Sequence, residues 1–259
     1  MNRTGLIIAL ATAIVVGGVF AVYPQFDLDI SALFYDPVTH KFVAWEMDWV
    51  EYARTAATWL IALLVAPAFL AVAGKLIMPR RPMLISSRAA LFLIATLALG
   101  PGVLANGLLK KHSARMRPED VVQLGGTGHF TPWWDPRGPC DENCSFIAGE
   151  PSGTFWTLAP AALAPPQWRA LAYAGALGFG VAMSALRIAS GAHFFTDTVF
   201  AGVLMFLVAW TFHGLIFRWK ATRFTDAAVE WPLEQMGKAI RIRLAVLARR
   251  LGRRKIGRS

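Results

Sequence analysis

The chain has 259 residues, 56% of them hydrophobic and only 16% charged, with a mean hydropathy of +0.46. That balance excludes an ordinary soluble domain, and the recurrence of apolar runs of about 18–24 residues points to a polytopic α-helical membrane protein. The formal charge of +10 is uneven: residues 218–259 hold twelve Lys and Arg against three Asp and Glu. Nucleic-acid binding would explain such a tail, but beside a membrane span positive-inside topology and attraction to anionic lipid explain it better, so no nucleic acid is expected as a partner.

In chain order, Arg3 precedes a first apolar run over 5–22. It exceeds a signal-peptide core of about 7–15 residues, so an uncleaved signal anchor is expected; the Val19-Phe20-Ala21 ending leaves cleavage as the alternative. Residues 23–54 form a polar, aromatic loop whose Trp45, Trp49 and Tyr52 suit a membrane interface. A second span covers 56–78 and contains Pro67. Arg80, Arg81 and Arg88 then mark 79–88 as cytoplasmic. A third span over 89–109 contains Pro101 and Gly102, and a polar loop rich in Pro, Gly, Trp and Asp follows over 110–150. A fourth, shorter span begins at Ser152 and breaks at Pro165-Pro166; a fifth covers 170–186 and a sixth 194–217. The expected fold is therefore all-α, with about six transmembrane helices over 1–217 and a basic cytoplasmic tail over 218–259. Within that tail, 238–254 carries Ile240, Ile242, Leu244, Val246, Leu247 and Leu251, and reads either as an amphipathic helix lying on anionic lipid or as a solvated disordered segment. No internal repeat is evident.

With the N-terminus inside, the 110–150 loop and the stretch from Arg187 to Asp197 fall on the outer face together. That stretch reads Arg-Ile-Ala-Ser-Gly-Ala-His-Phe-Phe-Thr-Asp between two apolar spans, where ionisable side chains are costly unless they serve a function. Gly191 permits a tight turn before a new helix, and His193 and Asp197 are then i, i+4 neighbours. A carboxylate there accepts the Nδ1–H of His193 and leaves Nε2 free as base or nucleophile. Arg187 supplies a fork suited to phosphate. A helix-end Arg–Asp pair beside a satisfied histidine is the structural alternative. The third span ends in Lys110-Lys-His-Ser-Ala-Arg-Met-Arg117-Pro118. Lys110 and Arg117, two helical turns apart, can share a face; such residues often only anchor headgroups, but on the outer face they call for an anion. The fourth span opens with Glu150-Pro151-Ser152-Gly153-Thr154, a Gly-containing helix start of the kind that binds anions. Cys140 and Cys144 lack the further Cys or His partners of a zinc site; a local disulfide on an oxidising face and two free thiols both fit.

Taken together, Lys-x6-Arg-Pro at Lys110, Arg117 and Pro118, the Ser/Gly helix start, and Arg-x5-His-x3-Asp at Arg187, His193 and Asp197 resemble the type-2 phosphatidic-acid phosphatase superfamily, related to vanadium haloperoxidases. The resemblance covers roughly 89–217. It implies a six-helix membrane phosphatase without metal or other cofactor, in which His193 attacks phosphorus to form a phosphohistidine and Asp197 orients it. Lys110, Arg117 and Arg187 then neutralise the phosphoryl oxygens. The second motif departs from the family's Pro-Ser-Gly-His. One register places Glu150 over the histidine, the other Thr154. Glu150 is the better acid, since a carboxyl raised by burial can protonate an alkoxide, with Ser152 as a phosphate donor; His112 and His129 are fallback acids. The missing histidine suggests a good leaving group, a diphosphate or an anomeric sugar phosphate, and the pattern looks like the bacterial lipid A phosphatases of the family. The expectation is an inner-membrane lipid phosphatase with a periplasmic-face site. Undecaprenyl-diphosphate phosphatase, lipid phosphotransferase and, from another class, an inactive lipid-phosphate-binding protein stand as alternatives.

Overall fold

The computed structural model describes residues 1–45 and 47–256, with the side chains of 247–256 outside the described set. Among the described residues, five helices are long and apolar enough to cross a membrane: α1 (Arg3–Val22), α3 (Asp48–Ile77), α4 (Ser87–His112), α7 (Arg169–Ala189) and α8 (Phe195–Arg218). Between α1 and α3 lie the short helix α2 (Gln25–Ala32) and a two-residue hairpin, β1 (Tyr35–Asp36) paired antiparallel with β2 (Lys41–Phe42). The interval expected to hold a fourth span contains instead two short helices, α5 (Gly149–Phe155) and α6 (Leu158–Ala162). Most of their residues are buried, so this pair is lined by protein on its sides, and a span's length is not required of it. The final helix is α9 (Asp226–Ile256).

Two compact units are present. The first comprises Met1–Leu64 and Ala95–His213 and contains every candidate site residue. In it α1 packs on α8, while α5 packs on α7, α8 and the end of α4. Phe155 seats against Gly180 of α7 and Gly202 of α8, the close approach that small residues give to membrane helices. Residues 98–109 of α4 are wound as a π-helix around Pro101. Proline cannot donate to the preceding turn, and the wider winding lets the Asn106 side chain donate to the Pro101 carbonyl at 2.7 Å. The helix α4 ends at His112, with Ala114 in the left-handed region at φ 51°, and Arg117 lies beyond it. Lys110 and Arg117 therefore do not share a helical face; a loop residue brings them together, as described below.

The second unit comprises Val65–Ile94 and Gly214–Ser259. Lys75 is buried and pairs with Glu230 at 3.0 Å and Glu234 at 3.9 Å, residues one turn apart on α9. Asp226 caps the start of α4, accepting from Ser86 Oγ (2.6 Å), Ser87 Oγ (2.9 Å), the Arg88 N–H (3.1 Å) and Arg88 Nε (3.1 Å). A carboxylate at a helix N-terminus is favoured by the unpaired N–H groups and the dipole. Although desolvation pushes the other way, these hydrogen bonds hold the Asp226 carboxyl at about 2. Because the folded value lies below the unfolded one, the cap's stabilisation is present above about pH 4 and is lost as the pH falls through about 2. Thermal unfolding measured across that window should show the loss, and Asp226→Asn should flatten it. The expected tail helix is present through Ile256, with Ile240, Ile242, Leu244 and Val246 exposed; Leu247, Leu251 and the basic residues among them lie outside the described side chains.

Candidate active site

His193 lies in the turn between α7 and α8. That turn is made by Gly191, at φ 71°, where a Cβ would collide with the Phe42 ring. Only glycine adopts this conformation without strain, and the reversal delivers His193 into the protein at 2% exposure. Its Nδ1 is 2.9 Å from the backbone carbonyl of Ser145. A carbonyl can only accept, so Nδ1 carries the proton and Nε2 keeps its lone pair. Asp197 stands 3.8 Å from Nδ1, outside hydrogen-bond reach, so the expected direct His193–Asp197 hydrogen bond is replaced by one through Ser145. The Ser145 hydroxyl donates to Asp197 Oδ2 at 2.5 Å, and the N–H of Phe194 donates to the same oxygen at 2.8 Å. Asp197 thus fixes both the turn that carries His193 and the residue that orients it. Burial pushes the His193 ring below its usual range; Arg187 and Lys110 push the same way, against Asp197. The imidazole is neutral at neutral pH, the state a nucleophile requires.

Behind this pair is a layer of residues that sequence reasoning passed over. Arg115, fully buried, donates to Asp197 Oδ1 (2.5 Å), Asp27 Oδ2 (2.6 Å), Thr196 Oγ1 (2.8 Å) and the Thr131 carbonyl (3.0 Å). Its guanidinium carbon sits 4.3 Å from the centre of the Phe194 ring. Asp27, 1% exposed, also accepts from the Thr196 N–H at 3.0 Å and its hydroxyl at 2.6 Å. One signal was available: the stretch after α4 has an arginine, Arg115, that the Lys-x6-Arg pattern does not use. Nothing local distinguishes Asp27 from Asp29.

The cations converge through the 140–145 loop. Cys140 and Cys144 are joined in a disulfide, and backbone bonds from Cys140 to Ala114 (3.1 Å), Cys144 to Lys110 (3.3 Å) and Ser145 to Arg115 (2.8 Å) pin the loop along the end of α4. At its tip Asn143 accepts from Lys110 Nζ on Oδ1 (3.1 Å), and from Arg117 Nη2 on its carbonyl (3.2 Å). Gly149 leaves room for this arrangement: a Cβ there would lie 2.7 Å from Asn106 Oδ1 and 3.2 Å from Lys110 Nζ. Gly149→Ala is expected to displace the Lys110 ammonium and raise KM for a lipid phosphate several-fold, about 1 kcal/mol of lost binding, with kcat less affected; steady-state kinetics check it.

Glu150 is brought to the cations, and Thr154 is not. Thr154, 1% exposed, directs its hydroxyl to the carbonyls of Pro151 (3.1 Å) and Glu150 (3.3 Å) of its own helix. Ser152 is fully buried, and its hydroxyl donates to the Ala148 carbonyl at 2.7 Å. His112 and His129 are exposed loop-side residues. Glu150 accepts from Arg54 Nε and Nη2 at 2.9 and 2.6 Å and lies 3.1 Å from Arg187 Nε. Burial alone would push its carboxyl up, as expected from sequence. The Arg54 hydrogen bonds and the Arg187 charge outweigh it and hold Glu150 below the usual range, so it rests as a carboxylate.

Membrane-length helices around a buried neutral histidine and a cluster of lysine and arginine define a multi-pass membrane protein with a candidate anion site. The chain belongs to the PAP2 superfamily, whose family model matches residues 89–223. It is 29% identical over 222 residues to "Lipid A 4'-phosphatase" of Francisella tularensis subsp. novicida (strain U112), covering 85% of this chain and 99% of the relative. It is 33% identical over 106 residues to "Lipid A 4'-phosphatase" of Rhizobium leguminosarum, covering 41% of this chain and 46% of that protein. In fold it is similar to the PAP2-type phosphatidylglycerolphosphate phosphatase of Bacillus subtilis, with a TM-score of 0.51 and 16% identity over 85% of this chain and 98% of the other.

Proposed function

We propose that the protein is an integral membrane lipid phosphatase that removes a phosphate from lipid A or a closely similar phosphorylated glycolipid, through a phosphohistidine on His193. The observation that carries this reading is the Nδ1 hydrogen bond to the Ser145 carbonyl, which leaves Nε2 of a neutral imidazole as the nucleophile near Lys110 and Arg187. Nε2 attacks phosphorus while Lys110, Arg117 and Arg187 neutralise the phosphoryl oxygens, and the bond to the lipid oxygen breaks. A phosphate monoester, with a second pKa of about 6, brings a proton that Glu150 can relay to the leaving oxygen. Water then attacks the phosphohistidine and gives a proton to the Glu150 carboxylate, which passes it to the departing phosphate and is a carboxylate again. Inorganic phosphate leaves and His193 is restored. No step draws on a metal.

The identity shared with the Francisella lipid A 4'-phosphatase over most of the chain supports a sugar phosphate as substrate. The Cys140–Cys144 disulfide supports an oxidising compartment for the loop that carries the site, hence an inner-membrane protein with a periplasmic-face site. On that orientation residues 1–217 hold the catalytic unit, and the basic tail over 218–259 lies at the cytoplasmic leaflet against anionic lipid. Phosphate release from lipid A, undecaprenyl diphosphate and phosphatidate, compared in detergent with EDTA present, tests the reading. Fastest release from lipid A is expected; fastest release from phosphatidate would overturn the substrate assignment.

A further inference from the structure

Glu150 lies between two guanidinium groups that hold it unequally. Arg54 grips it in a fork: Nε lies 2.9 and 3.1 Å from the two carboxylate oxygens and Nη2 lies 2.6 Å from Oε1. Arg54 is steadied in turn by Glu51, one turn earlier on α3, at 2.6 Å from Nη1. Arg187 approaches the same carboxylate with Nε at 3.1 Å from Oε2, but the N–H is poorly aligned. That Nε is a buried donor with no hydrogen-bond partner among the described residues, a state that costs about 1–3 kcal/mol unless a ligand completes it. Two cavities have Arg54 in their walls. A polar one of about 480 Å³ is lined by Glu51, Arg54, Arg117, Glu119 and Arg187, and one of about 340 Å³ by Arg54, Leu97, Pro101, Lys110 and Glu150. Arg54 lines both, and the Glu150 it holds lines the second.

A carboxylate and a phosphoryl oxygen ask for the same guanidinium geometry, so Glu150 and a substrate phosphate compete for Arg187. We propose that Arg54 is a positioning residue of this phosphatase site: its forked grip keeps the Glu150 carboxylate from closing on Arg187, so that the Arg187 guanidinium is left for the substrate's phosphoryl group. The proposal rests on the reading of Lys110, Arg117 and Arg187 as the phosphate cradle. It assigns a role to a residue of α3, ahead of the region that the family model matches. Without Arg54 the half-buried carboxylate has one strong partner left, Arg187, and becomes an internal inhibitor.

The test uses the full chain in detergent and two readouts: competitive inhibition by inorganic phosphate, and KM against kcat for a lipid phosphate. Arg54→Gln is expected to weaken phosphate inhibition and raise KM about tenfold, with a smaller change in kcat. Arg54→Lys, which keeps charge but not the fork, falls between the two. Adding Glu150→Gln to Arg54→Gln removes the competitor and returns phosphate inhibition to that of Glu150→Gln alone. The double variant no longer leaves Glu150 to face Arg187 alone and is compared with Glu150→Gln, so it carries the test if the single variant does not fold. Unchanged phosphate inhibition in Arg54→Gln, or weaker inhibition in the double variant than in Glu150→Gln alone, would overturn the proposal. Arg187→Gln separates the two levels. If it weakens phosphate inhibition while Arg54→Gln does not, only the role of Arg54 fails; if it too changes nothing, the cradle reading fails.

Discussion

Arg115→Met is expected to abolish turnover and to cost about 3–5 kcal/mol of stability, although Arg115 touches no substrate. A methionine fills much of the same volume but leaves Asp27 and Asp197, both buried, facing each other without the cation between them. Breaking a buried ion pair from one side costs more than removing it whole. Burial already pushes the Asp27 carboxyl up, against the pull of Arg115, so loss of the guanidinium raises it further. A carboxyl raised in the folded state lowers stability as the pH rises above its unfolded value of about 4. The variant should therefore be least stable near neutral pH and recover toward acid, which thermal unfolding across pH in detergent will show. Asp27→Asn in the same background should restore part of the stability. It should restore less of the activity, because Asp197 still lacks the Arg115 donor that holds its orientation.

His193→Ala is expected to lower phosphate release by about 10⁴-fold or more, since no other neutral imidazole occupies the nucleophile's position and the loss of a covalent nucleophile is of that order. Its effect on stability should be modest, about 1–3 kcal/mol, the cost of leaving the Ser145 carbonyl without its donor. Inhibition by inorganic phosphate should persist, because Lys110, Arg117 and Arg187 remain. Acid-labile labelling of the protein by a radioactive lipid phosphate should appear in the wild type and vanish in the variant. Labelling that survives would overturn His193 as the nucleophile. Ser145→Ala should fall between the two: the carbonyl that fixes Nδ1 is retained, and only the hydroxyl link to Asp197 is lost.

The long apolar helices were legible because composition alone reports them; a bilayer core dictates run length, and five of the expected spans appear as such helices. Spacing and the family resemblance singled out Lys110, Arg117, Arg187, His193, Asp197 and Glu150 as candidates, and the structure places them in one unit. What spacing could not carry were partners distant in sequence: Arg115 reaches Asp27 across 88 residues, and Arg54 reaches Glu150 across 96. The direction of the Glu150 shift was missed for this reason, since burial was readable and the arginine opposite it was not. The π-wound turn of α4 escaped because Pro101 reports an interruption without its geometry. The turn at Gly191 was read correctly, because a reversal between two spans leaves glycine little else to do.

Asp27 lies in α2 and Arg54 in α3, both ahead of the 89–223 region by which the family is identified. Every motif residue sits within that region, yet the ion pair that steadies Asp197 and the grip on Glu150 are completed from outside it. Recombination that exchanged only the motif-bearing half between relatives would inherit the reacting groups without the residues that aim them. Such a hybrid, joined ahead of residue 89, should need a matching acid and arginine from its new N-terminal half to work. The heritable module is thus longer than the signature that reveals it, and substitutions in the two halves should be found to depend on one another.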